Sequence, residues 1–121
     1  MALRAVRGAT HVASDDRDAI MDAVGELVMQ MLAVNGIDSE DVISMILTST
    51  PDLVSAFPAT AARLAGLEDV PLLSAQELAI EGSMPRVVRV LAHVESDKSR
   101  HDIEHVYLRG THGLRQAAAD E

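Results

Sequence analysis

Glu77 closes one apolar run and Arg89 sits inside the next, within the stretch from Ser74 to Leu91. An arginine flanked by Val88 and Val90 is costly in a strand unless an anion pairs with it. Arg7, Arg63, Tyr107 and Arg115 join these two as the residues able to do chemistry. Singly, each reads as surface: a strand-end charge, a helix-face charge, a loop carboxylate, a half-buried phenol. Together they offer guanidinium forks for carboxylates, a phenol donor and one carboxylate that accepts from a hydroxyl. The matching ligand is a small dicarboxylate bearing a hydroxyl, and that anion is the expected partner of Arg89.

Other chemistries lack their motifs. There is no GxSxG, and no serine and histidine stand at a meaningful spacing. Neither GxGxxG nor GxxxxGK[ST] is present. His101 and His105 stand four apart, but in a segment that reads as loop into strand with no third ligand at hand. They are read as surface histidines, and no metal or cofactor is assigned.

The elements that must position these residues follow from the patterning. Leu3 to Ala9 reads as a short strand with Leu3, Ala5 and Arg7 on one face and Arg4 and Val6 on the other, ended or bent by Gly8. Ser14 to Asn35 is a long helix, with Ser14, Asp15 and Asp16 available as caps and Ile20, Val24, Leu27, Val28 and Met31 as its apolar stripe. Gly25 is read as a place of close packing against a sheet. Val42 to Thr48 is a strand apolar on both faces and so central. Pro58 to Leu64 is a short helix with proline in its first turn. Val70 to Ala75 and Arg86 to Val94 are strands, separated by a loop at Glu81-Gly82-Ser83 and Pro85. Val88, Val90, Ala92 and Val94 share one face of the latter, and Val87, Arg89, Leu91 and His93 the other. Glu95 to Arg100 is a polar connection, expected to be mobile. A fifth short strand starts at Ile103 or His105 and ends at Leu108.

The expected fold class is α+β: a single mixed sheet of about five strands with one long and one short helix. One long helix covers one sheet face, so the other is wet or buried against another copy of the chain. The apolar character of the strands favours a symmetric oligomer. Residues 1–115 are read as one domain and 116–121 as a disordered tail.

At 121 residues the chain can bury about two-thirds of its unfolded surface. With one Phe and one Tyr, its core falls to Ala, Val, Leu, Ile and Met. The absence of cysteine excludes disulfides and thiolate metal sites. No apolar run is long enough to span a membrane, and Arg4 and Arg7 interrupt any signal-peptide core, so a soluble cytoplasmic protein is expected. A net charge of −9 argues against nucleic acid, but not against a local cationic site for a small anion.

Several short strings, in order, carry a resemblance. RGAT at 7–10, TPDL at 50–53, FPA at 57–59, Arg63, VP at 70–71, QE at 76–77, RV at 89–90, HVYL at 105–108 and LR at 114–115 resemble the monofunctional AroH-type chorismate mutases, over about residues 3 to 115. The resemblance implies a homotrimeric pseudo-α/β-barrel with active sites in the clefts between subunits. It implies the Claisen rearrangement of chorismate to prephenate, at the branch of the shikimate pathway toward phenylalanine and tyrosine, without a cofactor. It carries catalytic roles to Arg89, Glu77, Arg7 and Tyr107. Substrate contacts fall to Phe57, Ala59, Arg63, Leu72, Leu73, Ser74, Leu114 and Arg115. Phe57 and Ala59 would face the others from a neighbouring subunit, with Arg63 near the mouth. The chain departs from the family pattern at Thr60, at Leu73-Ser74, at Ser83 and at Pro85. A competing reading is a trimeric ligand-binding or imine-hydrolysing module of the YjgF/RidA kind.

Overall fold

The computed structural model describes residues 1–114. In chain order these form β1 (Ala2–His11), α1 (Arg17–Val34), β2 (Val42–Ser49), α2 (Pro58–Leu64), β3 (Leu72–Gln76), β4 (Val87–Ser96) and β5 (Val106–Tyr107). Single 3-10 turns occupy Ser39–Asp41 and Arg100–Asp102. The strands make one mixed sheet in the order β3-β2-β4-β1-β5. β4 is antiparallel to both β1 and β2, whereas β3 and β5 join the two sides as parallel neighbours.

Alternation along β4 sets the two faces. Val88, Val90, Ala92 and Val94 are buried beneath the helices with Met45, Leu47 and Val6. Arg89, Leu91 and His93 point the other way, where no helix or strand among the described residues covers the sheet. The fold is the expected α+β arrangement, with α1 over β1, and α2 beside α1 over β2 and β3.

Gly8 neither ends nor bends β1, which runs on to His11. It marks where α1 meets the sheet: a Cβ at Gly8 would lie 2.5 Å from Met31 Sδ and 3.0 Å from Leu27 Cδ1. Gly8→Ala is therefore expected to destabilise by about 1–3 kcal/mol, as overpacking does. Gly25 was the expected close approach, but a Cβ there meets nothing within 4 Å. β4 also continues through the polar Glu95 to Ser96, so the connection after it is shorter than the sequence implied.

Of the three acidic or hydroxylated residues before α1, Asp16 is the cap and accepts from Ala19 N–H at 2.9 Å. Asp15 serves another element: its Oδ1 accepts from Val54 N–H at 3.0 Å and Ser55 N–H at 3.1 Å, fixing the loop ahead of Phe57. At the other end of α1, buried Asn35 donates from Nδ2 to Met31 O and Glu104 O and accepts from Glu104 N–H, tying the helix to the approach of β5.

Candidate active site

The uncovered sheet face carries the charged residues. Arg89 pairs across the sheet with Ala9 on β1 and Thr48 on β2, so it lies mid-sheet with strands on both sides. Glu77 follows the end of β3, held by its own N–H on Ser49 O at 2.9 Å. Glu77 and Arg89 meet in a bidentate contact, Nε to Oε2 and Nη2 to Oε1, each 2.6 Å. The expectation of an anionic ligand as the partner of Arg89 is thus amended: in the chain alone Glu77 pairs with it. Thr48 Oγ1 donates to Glu77 Oε2 at 2.5 Å. The Arg89 hydrogen bonds hold the Glu77 pKa below the ordinary carboxylate value against the effect of burial, helped by the Thr48 hydroxyl and the Arg89 charge. Glu77 is therefore a fixed anion at neutral pH, and Arg89 a guanidinium aimed by it.

Arg7, Glu77, Arg89, Tyr107 and Leu114 line one cavity of about 300 Å³. A neighbouring depression of about 350 Å³ shares Arg7, Glu77, Arg89 and Leu114 and reaches the loop at Leu78 and Ser83. Tyr107 arrives through the parallel pairing of β5 with β1, where it stands opposite Ala9. Arg7 is held at its backbone, whose N–H donates to His105 Nδ1 at 3.0 Å. His105, read from sequence as a surface histidine, thus helps to position β1.

The remaining expected residues stand elsewhere in the chain. Phe57 and Ser74 line a separate cleft of about 650 Å³ with Thr60, where Arg17 is the one charged wall residue among the described residues. Ser74 lies opposite Leu47, on the helix side of the sheet, while Arg89 is on the other. Its Oγ is buried without a hydrogen-bond partner among the described residues. Ala59 is buried in α2, Arg63 is exposed in its last turn, Leu72 packs against the core, and Leu73 is exposed. Arg115 and the tail to Glu121 lie outside the described residues. Thr48 was not singled out from sequence, although its place across the ladder from Arg89 gives it away once the register is known.

The chain separates a charged cavity that suits a hydroxylated anion from a mostly uncharged cleft. Comparison with known proteins supplies the family. The sequence profile described as chorismate mutase type I matches residues 3–118. This chain belongs to the type I chorismate mutase family. It is 49% identical over 114 residues to the chorismate mutase AroH of Thermus thermophilus, covering 93% of each chain. Its identity to the chorismate mutase AroH of Bacillus subtilis is 37% over 116 residues, covering 95% of this chain and 91% of the relative. Among solved structures, it resembles the chorismate mutase from Clostridium thermocellum with a TM-score of 0.89 and 42% identity, covering 91% of this chain and 98% of that one. Membership makes the chain an isomerase of the chorismate-to-prephenate type, and the YjgF/RidA-like reading is set aside. Among the described residues no helix is long and apolar enough to cross a membrane.

Proposed function

We propose that this chorismate mutase works as a cytosolic homotrimer, in which the charged cavity of one subunit is completed by the Phe57 cleft of the next. The bidentate Glu77–Arg89 contact beside Arg7 and Tyr107 carries the reading, because it puts an aimed cation in a cavity of ligand size. The composite site is supported by Phe57, which is 73% exposed, and by exposed Leu3, Leu73, Leu78 and Ile80. Such a set of apolar side chains fits burial against a second copy. The place of Ser74 on the wall of the Phe57 cleft supports it too.

The rearrangement is unimolecular. The ether C–O bond breaks, a C–C bond forms, and no proton leaves or arrives, so the reaction requires neither nucleophile nor cofactor. The protein's task is to hold a flexible dianion folded over itself and to stabilise charge that grows on the ether oxygen. In this reading Arg89 faces that oxygen and the side-chain carboxylate, where a fixed cation favours the transition state over the ground state. Arg7 and Tyr107 hold the same carboxylate. Glu77, with Ser74 of the neighbouring subunit, holds the ring hydroxyl. Arg63 and Arg115 close over the ring carboxylate, and Phe57, Leu72, Leu73 and Leu114 form apolar walls against Ala59.

The test is the loss of chorismate absorbance with wild type beside Arg89→Ala, together with sedimentation to give the assembly. Rapid wild-type conversion to prephenate, a near-inactive variant and a trimeric mass are expected. Equal activity in both would remove Arg89 from the centre of the site. A monomer of full activity would remove the composite site.

A further inference from the structure

Thr48 has no role in the chemistry set out above, yet it occupies the closest hydroxyl position to the Glu77–Arg89 pair. Its Oγ1 donates to Glu77 Oε2 at 2.5 Å, and that same oxygen takes Arg89 Nε at 2.6 Å. Oε1 takes Arg89 Nη2 at 2.6 Å. The two carboxylate oxygens therefore differ in their side-chain donors among the described residues: Oε2 accepts from two, Oε1 from one, while the Leu78 backbone N–H also favours the carboxylate. A carboxylate oxygen has about two lone-pair sites, so side chains fill Oε2, and Oε1 is the oxygen less occupied by side-chain donors.

We propose that Thr48 is a positioning residue of this active site, which fills Oε2 of Glu77 so that Oε1 is the oxygen turned to the ligand hydroxyl and Arg89 is held at a fixed angle. The inference rests on the reading of Glu77 and Arg89 as site residues. The backbone supports it: Thr48 is half-buried on the cavity wall, and its strand position is fixed by pairing with Arg89 on one side and Ala75 on the other. It thus links the two strands from which Glu77 and Arg89 come. Without its hydroxyl the Glu77 carboxylate can rotate about its last bond, and both the ligand contact and the guanidinium lose their reference.

The experiment compares Thr48→Val, which keeps the shape and loses the donor, with Thr48→Ser, which keeps the donor. Chorismate turnover is followed across pH, and thermal unfolding is measured in parallel. Thr48→Val is expected to lower kcat by about ten-fold to a hundred-fold, the worth of a hydrogen bond to a charged group. It also moves the acid limb of the profile to higher pH, because the lost hydroxyl no longer favours the carboxylate. Among the described residues, the titratable groups facing Glu77 in the cavity are Arg89, Arg7 and Tyr107, and none of them is altered. Thr48→Ser should recover most of the rate and restore the acid limb. A Val variant with wild-type kcat and an unmoved acid limb would overturn the proposal. So would equal losses in Val and Ser with matching falls in Tm, which would make Thr48 a packing residue only. Arg89→Ala run in parallel separates the two levels: if it is inactive while Thr48→Val is unaffected, this inference alone fails. If Arg89→Ala keeps full rate, the reading of the site fails with it.

Discussion

Two threonines two positions apart hand their hydroxyls to two carboxylates at the same 2.5 Å, Thr48 to Glu77 and Thr50 to Asp52. Each carboxylate then meets an arginine near β4, Arg89 for Glu77 and Arg86 for Asp52. The inventories match and the outcomes diverge. Asp52 takes the backbone N–H of Arg86 at 3.3 and 3.1 Å, while the Arg86 side chain turns away and donates from Nε to Val12 O at 2.9 Å. Thr50 also binds main chain, donating its N–H to Val87 O and accepting from Val87 N–H. Apart from the Thr50–Asp52 hydroxyl bond, every contact there ends on the backbone and secures the start of β4, beside Arg86 at a φ of 50°. At Glu77 the guanidinium itself is the partner, and it lies in a cavity. Backbone partners secure the chain; side-chain partners present a charge.

The largest effect should separate the two arginines. Arg89→Ala is expected to raise the barrier by roughly 3–4 kcal/mol, the loss seen when a preorganised donor to a developing oxyanion is removed. Arg89→Lys should recover little, because a fork becomes a point charge. Arg86→Ala should instead lower Tm, with about 1 kcal/mol lost at the Val12 carbonyl and kcat largely kept. A kcat loss in Arg86→Ala equal to that of Arg89→Ala, in folded protein, would erase the distinction.

A smaller effect should distinguish the carboxylates. Asp52→Asn is expected to cost at most about 1 kcal/mol of stability, because solvent reaches that carboxylate. Differential scanning fluorimetry reads it, and turnover at saturating chorismate should barely change. The smallest effect is in acid. Arg89 hydrogen bonds lower the Glu77 pKa. For Asp52, burial is the largest influence and raises the value, but the Thr50 and Arg86 hydrogen bonds outweigh it, so its pKa is lowered as well. Each contributes stability that is present above its ordinary value, 4.5 for Glu77 and 3.8 for Asp52, and is lost as pH falls through the folded value. Acid unfolding of Asp52→Asn should therefore be shallower than that of wild type as pH falls below 3.8. An unchanged acid slope would mean that the Asp52 contacts do not distinguish the folded from the unfolded chain.

What the sequence disclosed follows from periodicity. The two faces of β4 could be read from alternation alone, because burying one side of a strand leaves a mark at every second residue. The cap region of α1 and its apolar stripe were legible for the same reason. The contact at Gly8 was not, since it depends on where α1 crosses β1, and neither segment records that height. Gly25 looked the better candidate only because a glycine is conspicuous inside a helix. Arg89 was conspicuous by cost, but its partner required the approach of Glu77 from β3, a parallel neighbour of β2 whose register no tight turn fixes. Thr48 was silent because threonine is ordinary in a strand. Ser74 was placed with Glu77 by the family resemblance; within the chain it stands opposite Leu47, a side that alternation in so short a strand does not declare.

The order of the sheet has a consequence for how the chain is made. Of the five strands β1 leaves the ribosome before the others, yet its two neighbours are β4 and β5, and its pairing with β4 runs from Ala2 with Ser96 to His11 with Val87. For most of synthesis this strand has no edge to join, and contacts of such long sequence separation are slow to close. A nascent chain stopped after α2 should hold no stable sheet, so the sheet forms late, when β4 emerges between two strands that have been waiting for it and β5 then adds to the edge of β1.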